Sequence, residues 1–136
     1  ECIVMNGEVV KVTREAMIAN KWKEIKDYRT KKIYDGAYIA SVNNWVQTDM
    51  DTQKQIACIH QLVLAGVNSG TVKWKFMNNE MHDMTDTLVR EIFLGIFKQV
   101  QAIFTAAEYA RMRLEVADDI LNFDYKTGFP ETYTKE

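Results

Sequence analysis

The run Glu80-Met81-His82-Asp83 is the nearest thing to an acid–base cluster in this sequence. On a strand, Glu80 and His82 share a face about 7 Å apart along the chain, too far to orient one another directly. No nucleophile or oxyanion donor accompanies them, so hydrolytic chemistry lacks most of its parts. His60 lies beside an apolar helical face, with no Ser, Cys or Asp at a suggestive spacing, and reads as a packed or surface histidine. Asp118 and Asp119 are adjacent and point apart on a helix, and two histidines supply no metal-ligand set. Asp49-Met50-Asp51 lacks the glycine and the distal Glu of a calcium loop. The glycines follow neither a phosphate-loop nor a dinucleotide pattern. Trp22, Trp45 and Trp74 have the chemistry of an aromatic ligand site, but read more simply as one core cluster. The expectation is a protein that is not an enzyme and carries no cofactor and no metal.

Composition narrows the classes further. The 136 residues suit one domain with a modest core, at 47% apolar and 26% charged. A net charge of −2 offers no basic field for phosphate backbones, so nucleic acid is not an expected partner. No apolar run approaches the ~20 residues of a membrane helix, and no signal-peptide pattern is present. Cys2 and Cys58 are the only cysteines. They have no metal-ligand spacing; a disulfide between them is an open alternative to a buried, reduced Cys58 and an incidental Cys2. The chain opens on Glu1 rather than Met, which reads as a processed product or part of something longer.

The elements follow from local pattern. Asn6-Gly7 between β-branched runs predicts a hairpin over residues 2–12, within an N-terminal connector of residues 1–13. Thr13 caps a helix from about Arg14 to Tyr34, ended by Gly36. Residues 37–42 and 45–48 read as short strands around Asn43-Asn44. Asp49 or Asp51 caps a second helix from Thr52 to about Leu64, with Ile56, Ile59, Leu62 and Val63 facing inward and the Gly66–Gly70 stretch stopping it. Thr71 to Met77 alternates strictly, placing Val72, Trp74 and Phe76 on one face. Asn78-Asn79 turns it into a partner strand from Glu80 to Met84.

Thr85 or Thr87 then starts a long helix reaching about Asn122, which spans ~54 Å. Its seam is Val89, Phe93, Ile96, Val100, Ile103, Ala107, Ala110, Leu114, Ala117 and Leu121, at alternating steps of four and three. From Leu88 to Phe104 further apolar residues (Leu88, Ile92, Leu94, Phe97, Phe104) widen the face, as in a domain core. From Ala106 onward the seam narrows and reads as an edge left for a partner or a coiled coil. Residues 123–136 form an extended tail with aromatic anchors Phe123, Tyr125, Phe129 and Tyr133. The fold class is therefore α+β: a hairpin, three helices with the last long and heptad-like, short antiparallel strands and an aromatic tail. Residues 14–122 make the single domain.

From Trp22 to Ile120 the order of features resembles an uncharacterised domain family of tailed bacteriophages, found beside or within tail-fibre and tail-fibre-assembly proteins. The resemblance is carried by Arg29 and Gly36, Val46 and Asp49, the stretch Gln53 to Leu64, and Gly70. Trp74-Lys75 with Asn79, and Phe104 in Gln99-Val100-Gln101-Ala102-Ile103-Phe104, complete it. The chain departs from the pattern at Phe76-Met77-Asn78, where family members often carry Thr and Asp, and in its aromatic tail.

The resemblance implies a virion protein of the tail, made in the host cytoplasm, that caps, adapts or chaperones a tail fibre. Its partners would be a phage tail or tail-fibre protein, a second copy of itself, or both. The candidate interface residues are Lys75, Asn79, Ala110, Leu114, Ala117, Leu121, Phe123, Tyr125, Phe129 and Tyr133. A small intracellular helical adaptor or regulator of a host enzyme is the alternative, and a hydrolase using Glu80 and His82 a third reading.

Overall fold

Each helix begins at an oxygen-bearing side chain that satisfies an otherwise orphaned backbone N–H. Thr13 accepts from the Ala16 N–H at 3.2 Å and starts α1, Arg14–Ile33. Asp49 accepts from the Thr52 N–H at 2.7 Å and starts α2, Met50–Leu64. Thr85 accepts from the Leu88 N–H at 3.1 Å and starts α3, Asp86–Glu115, with Asp86 at the positive pole of the helix dipole. The computed structural model describes residues 2–5, 8–67 and 72–135, those up to Lys11 as backbone only.

Three antiparallel hairpins complete the α+β fold among these residues. β1 (Cys2–Met5) pairs with β2 (Glu8–Lys11); the Asn6-Gly7 turn lies outside the described residues, as do Gly70 and Thr71. β3 (Ala37–Ile39) pairs with β4 (Asn44–Val46). Both strands are shorter than their β propensity predicts, because Ala40–Val42 forms a 3-10 turn and Asn43 takes a left-handed φ of 47°. β5 (Lys73–Lys75) pairs with β6 (Met81–Asp83), and its turn places Asn79 at φ 71°. The two last hairpins are tied together: the Met77 N–H donates to the Trp45 carbonyl at 2.8 Å, and the Asn44 amide to Asn78 Oδ1 at 2.7 Å.

Two apolar cores lie under α3. Its first half (Leu88, Val89, Ile92, Ile96) closes over α2 and the β3–β4 and β5–β6 hairpins, through Ile39, Val46, Ile56 and Phe76. Its second half closes over α1, where Ala107, Ala110 and Leu114 pack with Met17 and Ile25. The seam expected to await a partner is thus covered within the chain: all three of those α3 residues are 0% exposed. Small side chains at Ala107 and Ala110 let α1 lie close along α3, antiparallel to it.

The helix also stops earlier than the four-three spacing predicts, at Glu115 rather than Asn122. The reason is non-local. Arg14, at the start of α1, donates through Nη2 to the carbonyls of Glu115 (3.1 Å) and Ala117 (2.9 Å), supplying donors to acceptors that a helix end leaves open. Beyond it the inward residue is Ile120, and Leu121 is half exposed.

Other expectations need correction. The tail is non-helical and anchored by its aromatics, as expected, but the anchors serve the chain's own core rather than a partner: Phe123, Tyr125 and Phe129 pack on the second core. Tyr125 and Phe129 meet Tyr28 edge to face, at 5.6 and 5.0 Å between ring centres. Further on, the Tyr133 N–H donates to the Asp35 carbonyl, and Gln99 donates to the Glu131 carbonyl, both at 2.9 Å. Leu62 faces outward, because Ile56 and Val63 already fill the α2 side of the core. Leu94 and Phe97 are exposed rather than core residues, and Phe104 stays 40% exposed beside Arg29 of α1. Val72, ahead of the short β5, is exposed rather than sharing a buried face with Phe76. The tryptophans form no common cluster: Trp22 sits at the second core, Trp74 at the first, and Trp45 between Tyr38 and Tyr133. Cys58 is exposed on α2, not buried.

Leu114→Ala is expected to lower the unfolding free energy by about 3 kcal/mol in a urea titration, and Leu121→Ala by less than about 0.5 kcal/mol. Gly36 has φ +98°, and a Cβ there would lie 2.6 Å from Met77 Sδ. Gly36→Ala is accordingly expected to cost about 2 kcal/mol in the same assay.

Candidate functional site

A concavity lies where α2 faces β5 and β6. It encloses about 550 Å³ and is open along one side. Helical spacing places Thr52, Gln55, Cys58 and Ile59 on one wall; Val72, Lys73, Trp74 and Lys75 form the other, with Met81 from β6. Trp74 is half-buried against the first core and gives the cleft a fixed aromatic surface, whereas Met81 is 55% exposed and free to adapt.

The two lysines of β5 differ. Lys73 reaches across the hairpin to Asp83, with Nζ 2.5 Å from Oδ1. That hydrogen bond first, and the lysine charge second, hold the Asp83 carboxyl below its usual value. Lys75 has no ion-pair partner among the described residues, so its ammonium is the uncommitted charge of the cleft. Asn79 lies at the exposed β5–β6 turn, outside the cleft lining. Its left-handed backbone explains an Asn there without any ligand.

Glu80 and His82 come together, contrary to the sequence-based distance. Glu80 sits in the turn before β6, and its flexible side chain brings Oε2 to 3.4 Å from His82 Nε2. The imidazole stands edge-on to Phe76, 4.9 Å between ring centres, and Nε2 is buried with no aligned hydrogen bond to any described residue. The contact is therefore a proximity of charge and ring rather than an oriented acid–base pair. Ser41, His82, Asp83 and Glu91 line one cavity of about 260 Å³. The Ser41 hydroxyl donates to the Glu91 carboxylate there, so its proton is not directed to the imidazole. Among the described residues, no group of three His, Cys, Asp or Glu is placed to hold a metal ion, and no helix is long and apolar enough to cross a membrane. His60 stacks flat on Phe93, 4.1 Å between ring centres.

The remaining candidate interface residues are dispersed. Ala110 and Leu114 are buried under α1 and present no surface, and Ala117 is half-buried just past the α3 end. Phe123, Tyr125 and Phe129 are spent on the second core, and Tyr133 on Trp45. Lys75, Asn79 and Leu121 remain exposed. Gln55, Cys58 and Met81 were not legible as cleft residues, because the α2 wall mixes polar and apolar side chains without a period of its own.

A family model described as "Domain of unknown function (DUF4376)" matches residues 15–127. No curated protein and no solved structure matches the chain.

The Lys73–Asp83 pair makes the cleft hairpin pH-sensitive. A carboxyl held below its ordinary 3.8 adds stability that is fully present above that pH and is lost as pH falls through the folded-state value. In a carboxyl-carbon NMR titration, the Asp83 midpoint is expected below 3.8 in the native chain and higher in Lys73→Met than in the native chain.

Proposed function

We propose that the chain, which belongs to the DUF4376 family of unknown function, is a non-enzymatic protein–protein contact module of a bacteriophage tail. It acts as an adaptor, cap or assembly chaperone of a tail fibre. The phage setting rests on the sequence resemblance between Trp22 and Ile120.

The observation that carries the contact role is the cleft between α2 and β5–β6. Its open side suits a polypeptide segment lying along β5 better than a small molecule enclosed on all sides. Trp74 supplies a rigid anchor, Val72 and Met81 supply exposed apolar area, and Lys75 supplies a charge for an acidic residue of the partner. Such a site selects by shape and charge. It makes no demand on a nucleophile or a tuned base.

Calorimetric titration of the chain with the tail-fibre protein of the same phage tests the reading. The native chain is expected to bind, and Lys75→Glu and Met81→Asp each to weaken binding by roughly tenfold or more while leaving the melting temperature unchanged. A chain that binds no tail protein, or cleft variants that bind as the native chain does, would contradict it.

A further inference from the structure

The open side of α3 carries a second heptad stripe. Arg90, Leu94, Phe97, Gln101, Phe104 and Glu108 follow at steps of four and three, and all are exposed. Arg90, Phe97 and Phe104 each follow directly after a buried seam residue (Val89, Ile96, Ile103), so the stripe lies about 100° round the helix from the covered seam. Leu94 and Phe97 are 49% and 57% exposed, and Phe104, with Arg29 over its ring, is still 40% exposed, so the stripe presents apolar side chains to solvent.

The stripe is complementary to itself when reversed. Turned about a two-fold axis near Gln99, it sets Arg90 opposite Glu108, Leu94 opposite Phe104, and Phe97 opposite Gln101, with each pair occurring twice. A parallel alignment in register would instead oppose Arg90 to Arg90 and Glu108 to Glu108. Like charges at such positions disfavour that arrangement. The charges are available: Arg90 pairs with no carboxylate among the described residues, and Glu108 meets only Arg111, at 3.7 Å and on the surface. Beside the stripe, two recesses of about 230 and 260 Å³ meet at Gln53 and Val100, leaving room for side chains of an incoming helix.

We propose that α3 pairs antiparallel with α3 of a second copy of this chain along Arg90–Glu108, forming a two-fold dimer. This surface is distinct from the α2–β5 cleft, so the dimer stands or falls independently of any tail-protein partner.

Sedimentation velocity of the full chain and its charge-reversal variants tests the dimer. The native chain sediments as a dimer. Arg90→Glu and Glu108→Arg each place like charges in both ends of the pair and raise the dissociation constant by roughly tenfold or more. Mixed in equal amounts, the two single variants form a heterodimer, and the Arg90→Glu/Glu108→Arg double variant dimerises again. Circular dichroism verifies that both exposed sites leave the helix intact. A native chain that stays monomeric at high concentration would overturn the proposal. So would single reversals that dimerise undiminished, or a mixture of the two that fails to associate.

Discussion

Ala107 and Ala110 bring α1 against α3, and much of the remaining structure depends on how close that approach is. Larger side chains at either position would push the helices apart and open the space that Met17, Ile25 and Leu114 now fill. The same approach sets the register of α1 along α3. It places Arg29 over the Phe104 ring at 4.8 Å, Arg111 over Trp22 at 5.4 Å, and Arg14 on the open carbonyls at the end of α3. Arg29 Nε is buried without a hydrogen bond to any described residue; its cation instead lies over aromatic faces, which offsets part of that cost.

The tail extends this arrangement across the molecule. After Ile120 closes the second core, Phe123, Tyr125 and Phe129 extend its apolar cover, and the Tyr133 N–H reaches the loop after α1. Gln99, near the middle of α3, donates to the Glu131 carbonyl and holds the tail against the helix. Asp119 and Asp124 brace its turns by accepting from Asn122 and from Thr127, and those hydrogen bonds hold both carboxyls below their ordinary value. The inward seam of the second half of α3 is thereby covered by the chain's own segments, while the stripe from Arg90 to Glu108 stays exposed on another side of the helix.

The locally encoded parts were legible in the sequence. Helix starts were marked by Thr13, by Asp49 or Asp51 and by Thr85 or Thr87, because capping involves residues only three apart, and the structure uses Thr13, Asp49 and Thr85. The β5–β6 hairpin follows from alternation and an Asn pair, and the alternation sets Lys73 and Lys75 on the exposed face of β5. What stayed hidden was non-local. The end of α3 meets Arg14, 101 positions from Glu115, while the apolar spacing itself runs on to Leu121. Aromatic anchors in the tail have no period that says which surface they meet, so residues that cover a core read as residues awaiting a partner. Ala110 and Leu114 were misplaced for the same reason: a seam shows that a helix is covered, not by what.

Amide hydrogen exchange along α3, in a solution dilute enough to hold the chain monomeric, tests this account most directly. If α1 and the tail cover the second half, amides from Ile103 to Leu114 should be protected about as strongly as those from Ile92 to Val100. Fast exchange from Ile103 onward, with protection confined to the first half, would show that half uncovered and contradict the account.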